Sequence, residues 1–429
     1  MTCLLLLTVA LAGQTWREPA LAAFDEVWQT INDTFYDPAF GGIDWAGLKR
    51  ELRPRAEKAT SADGVRSVIR DMLSRLGQSH FALMSASSVD DTLPGPARVP
   101  IDIRVASPSI VITRVPPDST AARAGLRAGQ LVTAIDGKPV KEMIDAAHGR
   151  DERMRRWEVW RTAFRELHGA EGSQAQLLIL DPTGAAREVR VTRARETGES
   201  VQLGNLPPLY VHVEARPART PAGREAGVIG FNIWMTAVDQ PVAAAIDRFR
   251  GADGLVVDLR GNPGGLALMV NGFSGHLLAE PLVLGTMQTR HATLRFAANP
   301  RLVTTDGRRV SPFAGPVAIL VDELTASASE VLAGGLQSLG RARIFGRQTL
   351  GGALPASTKK LANGDVLMRA IGDFVTSTGR RLEGVGVTPD EMVPLSVPAL
   401  AAGRDEALEA ALRWIDTRAG AARAKDLPF

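Results

Sequence analysis

Cysteine is almost absent from this 429-residue chain: Cys3 stands alone, so no disulfide forms within the chain and cysteine usage says nothing of the compartment. A charge of one sign is lacking too. Fifty basic against 47 acidic residues leave a formal net charge of +3, and the basic residues are spread along the chain, so no nucleic-acid partner is expected. The densest cluster, Arg150-Asp-Glu-Arg-Met-Arg-Arg-Trp-Glu-Val-Trp-Arg161, is interrupted by Asp151, Glu152 and Glu158 and followed by Glu166. With Trp157, Trp160, Phe164 and Leu167 at helical spacing, it reads as an amphipathic helix with a wet basic face, not as a membrane or polyanion site. Long hydrophobic runs are missing as well. Leu4-Leu-Leu-Leu-Thr-Val-Ala-Leu-Ala12 is too short to cross a bilayer, so no stable membrane span is expected. It reads as the apolar stretch of a signal peptide over residues 1–23, cleaved after Ala12 or near Leu21-Ala-Ala23, which points to a periplasmic or secreted protein. Cys3 precedes the run instead of following it, so a lipoprotein anchor is not expected.

What the chain does have is a buried-looking strand that turns sharply into a small-residue helix: Val317-Ala-Ile-Leu-Val-Asp-Glu-Leu-Thr-Ala-Ser-Ala-Ser-Glu330, then a helix over 331–337. Ser327 falls at the helix N-terminus, where free backbone N–H groups and the helix dipole stabilise negative charge on a reacting carbonyl oxygen. Taken alone, Ser327 or Ser329 would be called a helix cap.

Thr325-Ala-Ser-Ala-Ser-Glu330 resembles the nucleophile segment of the carboxyl-terminal processing peptidases, or tail-specific proteases. Leu255-Val-Val-Asp-Leu-Arg-Gly-Asn-Pro-Gly-Gly265 resembles that family's strand and Asn-x-Gly-Gly loop, and Gly384-Val-Gly-Val-Thr-Pro-Asp390 its closing turn. The resemblance implies that Ser327 is the nucleophile and Ser329 structural. It departs at one place. Better known members carry a lysine base in a Phe-Gly-Lys-Gly motif, and the matching position here is Gly352, in Thr349-Leu-Gly-Gly-Ala353. A serine hydroxyl needs an adjacent base, so another residue must take the proton.

Leu73-Ser-Arg-Leu-Gly-Gln-Ser-His-Phe81 and Leu382-Glu-Gly-Val-Gly386 resemble segments of the related tricorn protease branch. That likeness implies a Ser/His site in which Ser79, His80, Ser327 and Glu383 form a tetrad. His80 would be the general base, with Ser79 relaying between Glu383 and the ring. Adjacent side chains of a regular strand point to opposite faces, so Ser79 and His80 cooperate only if the backbone turns there, and Gly77 gives freedom for such a turn. The oxyanion hole would take the N–H of Ala328 and that of Gly264 or Gly265, between which the sequence does not choose. Lys359 or Lys360 is a fallback base, but the Asn363-Gly364 turn beside them reads as a solvated hairpin.

Length fits about three domains. The expected organisation is the signal peptide at 1–23, an N-terminal helical cap at 24–90, a PDZ domain at 91–196, an α/β protease core at 205–400, and a C-terminal helix and tail at 401–429. The overall class is multidomain, α+β, with an α/β core because strands 228–233, 255–259 and 317–321 alternate with helices such as 242–250. Pro207-Pro208 and the prolines at 217 and 221 mark the passage into the core. Ala124-Gly-Leu-Arg-Ala-Gly129 and the Asp136-Gly137 hairpin carry the PDZ likeness, with the helix near 150–168 as an insertion. PDZ domains capture peptide carboxyl termini on backbone amides beside a sheet edge. Here Arg98-Val-Pro-Ile101 lies in that place without the usual glycine, so tail capture is expected to be weak. The implied activity is serine endopeptidase chemistry on a peptide or unfolded protein substrate, through an acyl-enzyme, without metal or cofactor. The alternative is an inactive peptide-binding or scaffold protein; an esterase fits poorly, because no Gly-x-Ser-x-Gly surrounds Ser327.

Overall fold

The computed structural model describes residues 16–85, 95–149, 151–181, 184–202 and 209–425. The apolar run at 4–12 and Pro207-Pro208 lie outside them. The helical cap begins at Arg17, not at Phe24: helix α1 (Arg17–Thr34) buries Ala20, Ala23, Phe24, Val27 and Ile31 along one face. A cleavage near residues 21–23 would therefore remove side chains that the cap packs around. Asp44 caps α2 (Trp45–Glu57) by accepting from the Gly47 N–H, and Ser61 caps α3 (Ala62–Ser74) by accepting from Gly64. Strand β1 (Ala82–Met84) follows α3 after a short turn.

The PDZ-like module is an antiparallel sheet in the order β2 (Asp102–Ala106), β3 (Ser109–Arg114), β4 (Leu131–Ile135), then β5 (Gln174–Leu180) and β6 (Ala186–Thr192), with helix α4 (Glu152–Glu166) between β4 and β5 in sequence. The buried face of α4 is Val159 and Ala163, continued by Leu167. The tryptophan-led face expected from spacing is only partly covered: Trp160 stacks on Phe164 with ring centroids 4.8 Å apart, and Arg161 lies 5.3 Å from the Trp157 ring. Small residues let α4 approach β2 closely, which pushes the large rings to the flank.

In the core, a six-stranded sheet runs β7 (Val213–Arg219), β8 (Glu225–Phe231), β9 (Gly254–Asp258), β10 (Val317–Val321), β11 (Ala342–Gly346) and, at the far edge, Glu391–Met392. Only the β7–β8 pair is antiparallel. Pro217, expected to lie in a linker, is inside β7, where an edge strand tolerates its missing N–H. One face packs against helix α5 (Thr236–Arg248) and helix α6 (Ala328–Ser338), the other against the C-terminal helix through Ala411 and Ile415.

The cap is sewn to the core through a hairpin. Strands β12 (Ala356–Lys360) and β13 (Val366–Ala370) pair around Asn363-Gly364, as the sequence implied, and β1 adds to β13 with Ala82 opposite Met368. Arg66 grips the fully buried Asp365 with both Nε (3.0 Å) and Nη2 (3.1 Å). Lys359 pairs with Glu26 (3.1 Å) and Thr30 (3.0 Å) on α1, so its ammonium serves the cap.

The loop at 98–101 has spent its donors. Val99 N–H donates to Leu167 C=O (3.0 Å), Ile101 N–H donates to Val99 C=O (2.8 Å), and Pro100 has none. On edge strand β2 and just before it, the carbonyls of Ile103 and Ile101 accept from Arg104 and Arg98 (2.8 Å each). The Val99 and Ile101 amides and these two carbonyls, which a bound carboxyl-terminal peptide would need, are thus engaged within the module. One peptide substrate with a free or an amidated carboxyl terminus is therefore expected to be cleaved at the same rate; a large loss on amidation would show that the module captures tails.

Candidate active site

All five residues of β10 are buried, and the next five turn the chain into α6. Ser327 is the N-cap of α6 at φ 54° and ψ −120°, a left-handed conformation that costs a non-glycine residue about 1–3 kcal/mol. The turn is held by its neighbours. Ser327 N–H is shared between Gly352 C=O (2.9 Å) and Glu330 Oε2 (3.1 Å), and Ser327 C=O accepts from Glu330 and Val331 (2.8 and 3.0 Å). The loop after β9 comes so close that a Cβ at Gly264 would lie 2.5 Å from Ser327 Cβ. Ser329 is fully buried and its Oγ accepts from Trp234 Nε1 (2.9 Å), so it holds the floor of the site.

Of the two glycines in Asn262-Pro-Gly-Gly265, Gly264 stands against Ser327 and Gly265 against Trp234, and their amides differ. Gly264 N–H donates to Asn262 Oδ1 (3.0 Å). Gly265 N–H and Ala328 N–H make no hydrogen bond among the described residues. The Trp234 backbone fixes the glycine segment, donating to Gly264 C=O and accepting from Leu266 (2.8 Å each). Two free donors thus sit at the carboxyl ends of adjacent parallel strands, the usual place for a ligand in an open α/β sheet.

Ser79 and His80 come from the turn between α3 and β1. The bend that lets both side chains work together is made by Gly77 at φ 62° and by His80 itself at φ 61°. Tyr36 donates to Gln78 Oε1 (2.7 Å) and accepts from Arg381 (3.2 Å), which pins this turn to the core. Ser79 Oγ donates to Glu383 Oε2 (2.8 Å) and lies 2.7 Å from His80 Nδ1. With the hydroxyl hydrogen committed to the carboxylate, Oγ accepts from Nδ1–H, and Nε2 keeps a bare lone pair. Burial pushes the His80 pKa below its ordinary 6.5, against the pull of the Glu383 charge. No hydrogen bond joins His80 to Ser327. Gly352 lies between them: its C=O takes the Ser327 N–H, and a Cβ on it would be 3.6 Å from Ser79 Cβ.

Glu383, which the sequence alone would place in solvent, is 2% exposed. Besides the Ser79 hydroxyl it accepts from Ser79 N–H (2.7 Å) and Ala353 N–H (3.0 Å). Sequence reasoning missed four further residues of this centre. Glu330 is fully buried and accepts from the Thr349 hydroxyl and from the N–H groups of Gly351 (2.8 Å) and Gly352 (3.0 Å); burial pushes its carboxyl up to about 7. The spacing Ser-x-x-Glu was its only signal. Asp322 accepts from Gly261 and Leu324 N–H (2.9 and 3.0 Å) and from Arg104 Nε of the PDZ-like module (2.6 Å). Arg153 of α4 donates to the carbonyls of Thr349 (3.2 Å), Gly384 (2.8 Å) and Val385 (2.5 Å). No local pattern pairs residues so distant in sequence.

Comparison with known proteins finds likenesses for each part of the chain. Residues 225–393 match the model of peptidase family S41, 18–74 that of the tricorn protease C1 domain, and 111–148 a PDZ domain. The chain is 27% identical over 409 residues to a carboxyl-terminal-processing protease of Picosynechococcus sp., covering 91% of this chain and 89% of that one. It is 26% identical over 377 residues to the protein of the same name from Synechocystis sp., covering 85% and 79%. Among solved structures, the photosystem II D1 C-terminal processing protease superposes with a TM-score of 0.58 at 22% identity, over 90% of this chain and 98% of that one. Among the described residues no helix is long and apolar enough to cross a membrane.

Asp322 yields a stability prediction. Burial raises its pKa, but the charges of Arg104 and Arg347 and the Gly261 N–H outweigh this and hold it at about 2. A depressed carboxylate pKa adds stability above the unfolded value of 3.8, which is lost as pH falls towards 2. Arg104→Ala takes the nearest cation from a buried carboxylate, leaving Arg347 at 4.0 Å and the Gly261 and Leu324 N–H groups, and is expected to cost about 1–3 kcal/mol in denaturant unfolding at pH 7. It should also flatten the acid limb of stability between pH 4 and 2; an unchanged limb would show that the pair does not carry it.

Proposed function

We propose a route for this chain, which is a serine-type peptidase of the S41, carboxyl-terminal-processing kind: it is an endopeptidase in which Ser327 is the nucleophile and His80 the general base. The observation that carries the reading is the run Glu383–Ser79–His80, whose hydrogen bonds leave Nε2 as the acceptor. Ser327 Oγ attacks the scissile carbonyl while His80 Nε2 takes its proton. The oxyanion settles on the Gly265 and Ala328 N–H groups, which have no other partner among the described residues. Collapse breaks the C–N bond, and His80 returns the proton to the leaving amine. Water then attacks the acyl-enzyme with His80 again as base, releasing the acid and free Ser327. Glu383, through Ser79, favours the imidazolium that forms in each half. No hydrogen bond joins Nε2 to Ser327 Oγ without substrate, and such bonds often form only in the Michaelis complex.

Substrates are peptides or unfolded proteins, admitted beside the glycine loop and selected with little help from a free carboxyl terminus. The apolar run at 4–12 supports a periplasmic or secreted location, which N-terminal sequencing of the mature protein tests.

A fluorophosphonate should label Ser327 alone, and Ser327→Ala should abolish both labelling and hydrolysis. His80→Ala is expected to lower kcat about a thousandfold or more with the fold intact; full activity there would refute the base. Because the imidazole must be neutral and burial lowers its pKa, kcat/KM should rise with pH through a midpoint below 6.5 if His80 alone sets the acid limb. Lys359→Ala should leave kcat unchanged. Ser329→Ala should instead cost about 1–3 kcal/mol of stability, by leaving the Trp234 indole N–H without an acceptor.

A further inference from the structure

We propose that Glu330 is a positioning residue for the reaction, holding the nucleophile turn and the segment that supports Glu383 in one fixed relation. The proposal rests on Ser327 as nucleophile but on neither base. A carboxylate has two oxygens, and here each meets two donors. Oε1 takes the Thr349 hydroxyl and Gly351 N–H; Oε2 takes Gly352 N–H and the N–H of Ser327 itself. Thr349 Oγ1 accepts from Val387 N–H (2.7 Å), so its own hydrogen goes to Glu330. A helix-capping glutamate needs only the N-cap N–H. In this case three of the four donors lie on residues 349–352, beyond the helix.

That segment continues directly to the second carboxylate. Three consecutive amides, at Gly351, Gly352 and Ala353, point at Glu330, Glu330 and Glu383 in turn. The run is therefore a spacer whose one end carries the group behind Ser327 and whose other end carries the group behind Ser79. Gly352 C=O adds a second tie to the Ser327 N–H (2.9 Å). Glu330 is fully buried behind the turn and touches no substrate, so it acts through Ser327. A neutral amide in its place would set an NH2 group against backbone N–H donors and loosen the cradle without changing its size.

The test uses Glu330→Gln, with Thr349→Val and Thr349→Ser as an independent pair, measuring kcat and KM on a peptide, fluorophosphonate labelling of Ser327, and melting temperature. Misplacement of a reacting group by about 1 Å costs about a hundredfold in rate, and that loss is expected for Glu330→Gln in both kcat and labelling, with KM nearly unchanged and the protein folded at the assay temperature. Thr349→Val should lower kcat about tenfold by removing one donor, and Thr349→Ser should restore it. Labelling of folded Glu330→Gln at the wild-type rate, with only the melting temperature lowered, would overturn the proposal. If Glu330→Gln does not fold, equal labelling of Thr349→Val and wild type overturns it. His80→Ala run alongside keeps the two questions apart: wild-type labelling there refutes the base while a slow Glu330→Gln still supports the cradle.

Discussion

A carboxylate taken out of water costs several kcal/mol unless donors meet it, and those buried around Ser327 include Asp322 and Glu383 at 2% exposure and Glu330 at none. That constraint organises the site. Each carboxylate draws its donors from segments far apart in sequence, so satisfying it forces those segments together. Asp322 joins the nucleophile turn to the loop after β9 and to the PDZ-like module. Glu330 joins the nucleophile turn to residues 349–352, and Glu383 joins those residues to the cap. The strained Ser327 conformation persists because its own N–H and C=O are among the groups so held.

The cap and the PDZ-like module act on the core in different ways. The cap delivers chemistry: β1 adds to β13, the Arg66–Asp365 pair locks the hairpin, and the turn between α3 and β1 carries Ser79 and His80 to Glu383. The PDZ-like module supplies supports. Arg104 reaches the loop that leads to the oxyanion glycines, while Arg153 collects carbonyls from the two loops that carry Glu383 and the amides at 351–353. Its own edge strand is meanwhile covered by arginine side chains. A module that spends its recognition groups internally and its arginines on the core serves as a wall of the site.

Much of this was legible in the sequence because it is local. β10 was read to the residue, since an unbroken apolar run before a small-residue helix has few other readings. The helical cap was expected from residue 24, yet α1 starts at Arg17, because small residues such as Ala20 and Ala23 also pack on its buried face. The wrong face of α4 has the same cause: alanine and valine, not tryptophan, permit the close approach to β2. The partners of buried charges were not legible. Asp322 with Arg104 and Glu330 with Thr349 are fixed by tertiary packing, which leaves no periodic or spacing signal. Between Gly264 and Gly265 the sequence was silent for a similar reason: what sets their amides apart is one hydrogen bond from Gly264 to Asn262.

Gly352 touches both halves of the site. A Cβ placed on it would lie 3.7 Å from Ser79 Oγ, an ordinary contact. Its φ is not in the left-handed region, so glycine is not required there for conformation. The backbone at 352 is fully employed all the same, giving its N–H to Glu330 and its C=O to the Ser327 N–H. The segment at 352 thus ties the Ser327 turn to Glu330 through its backbone alone, with no part taken by a side chain.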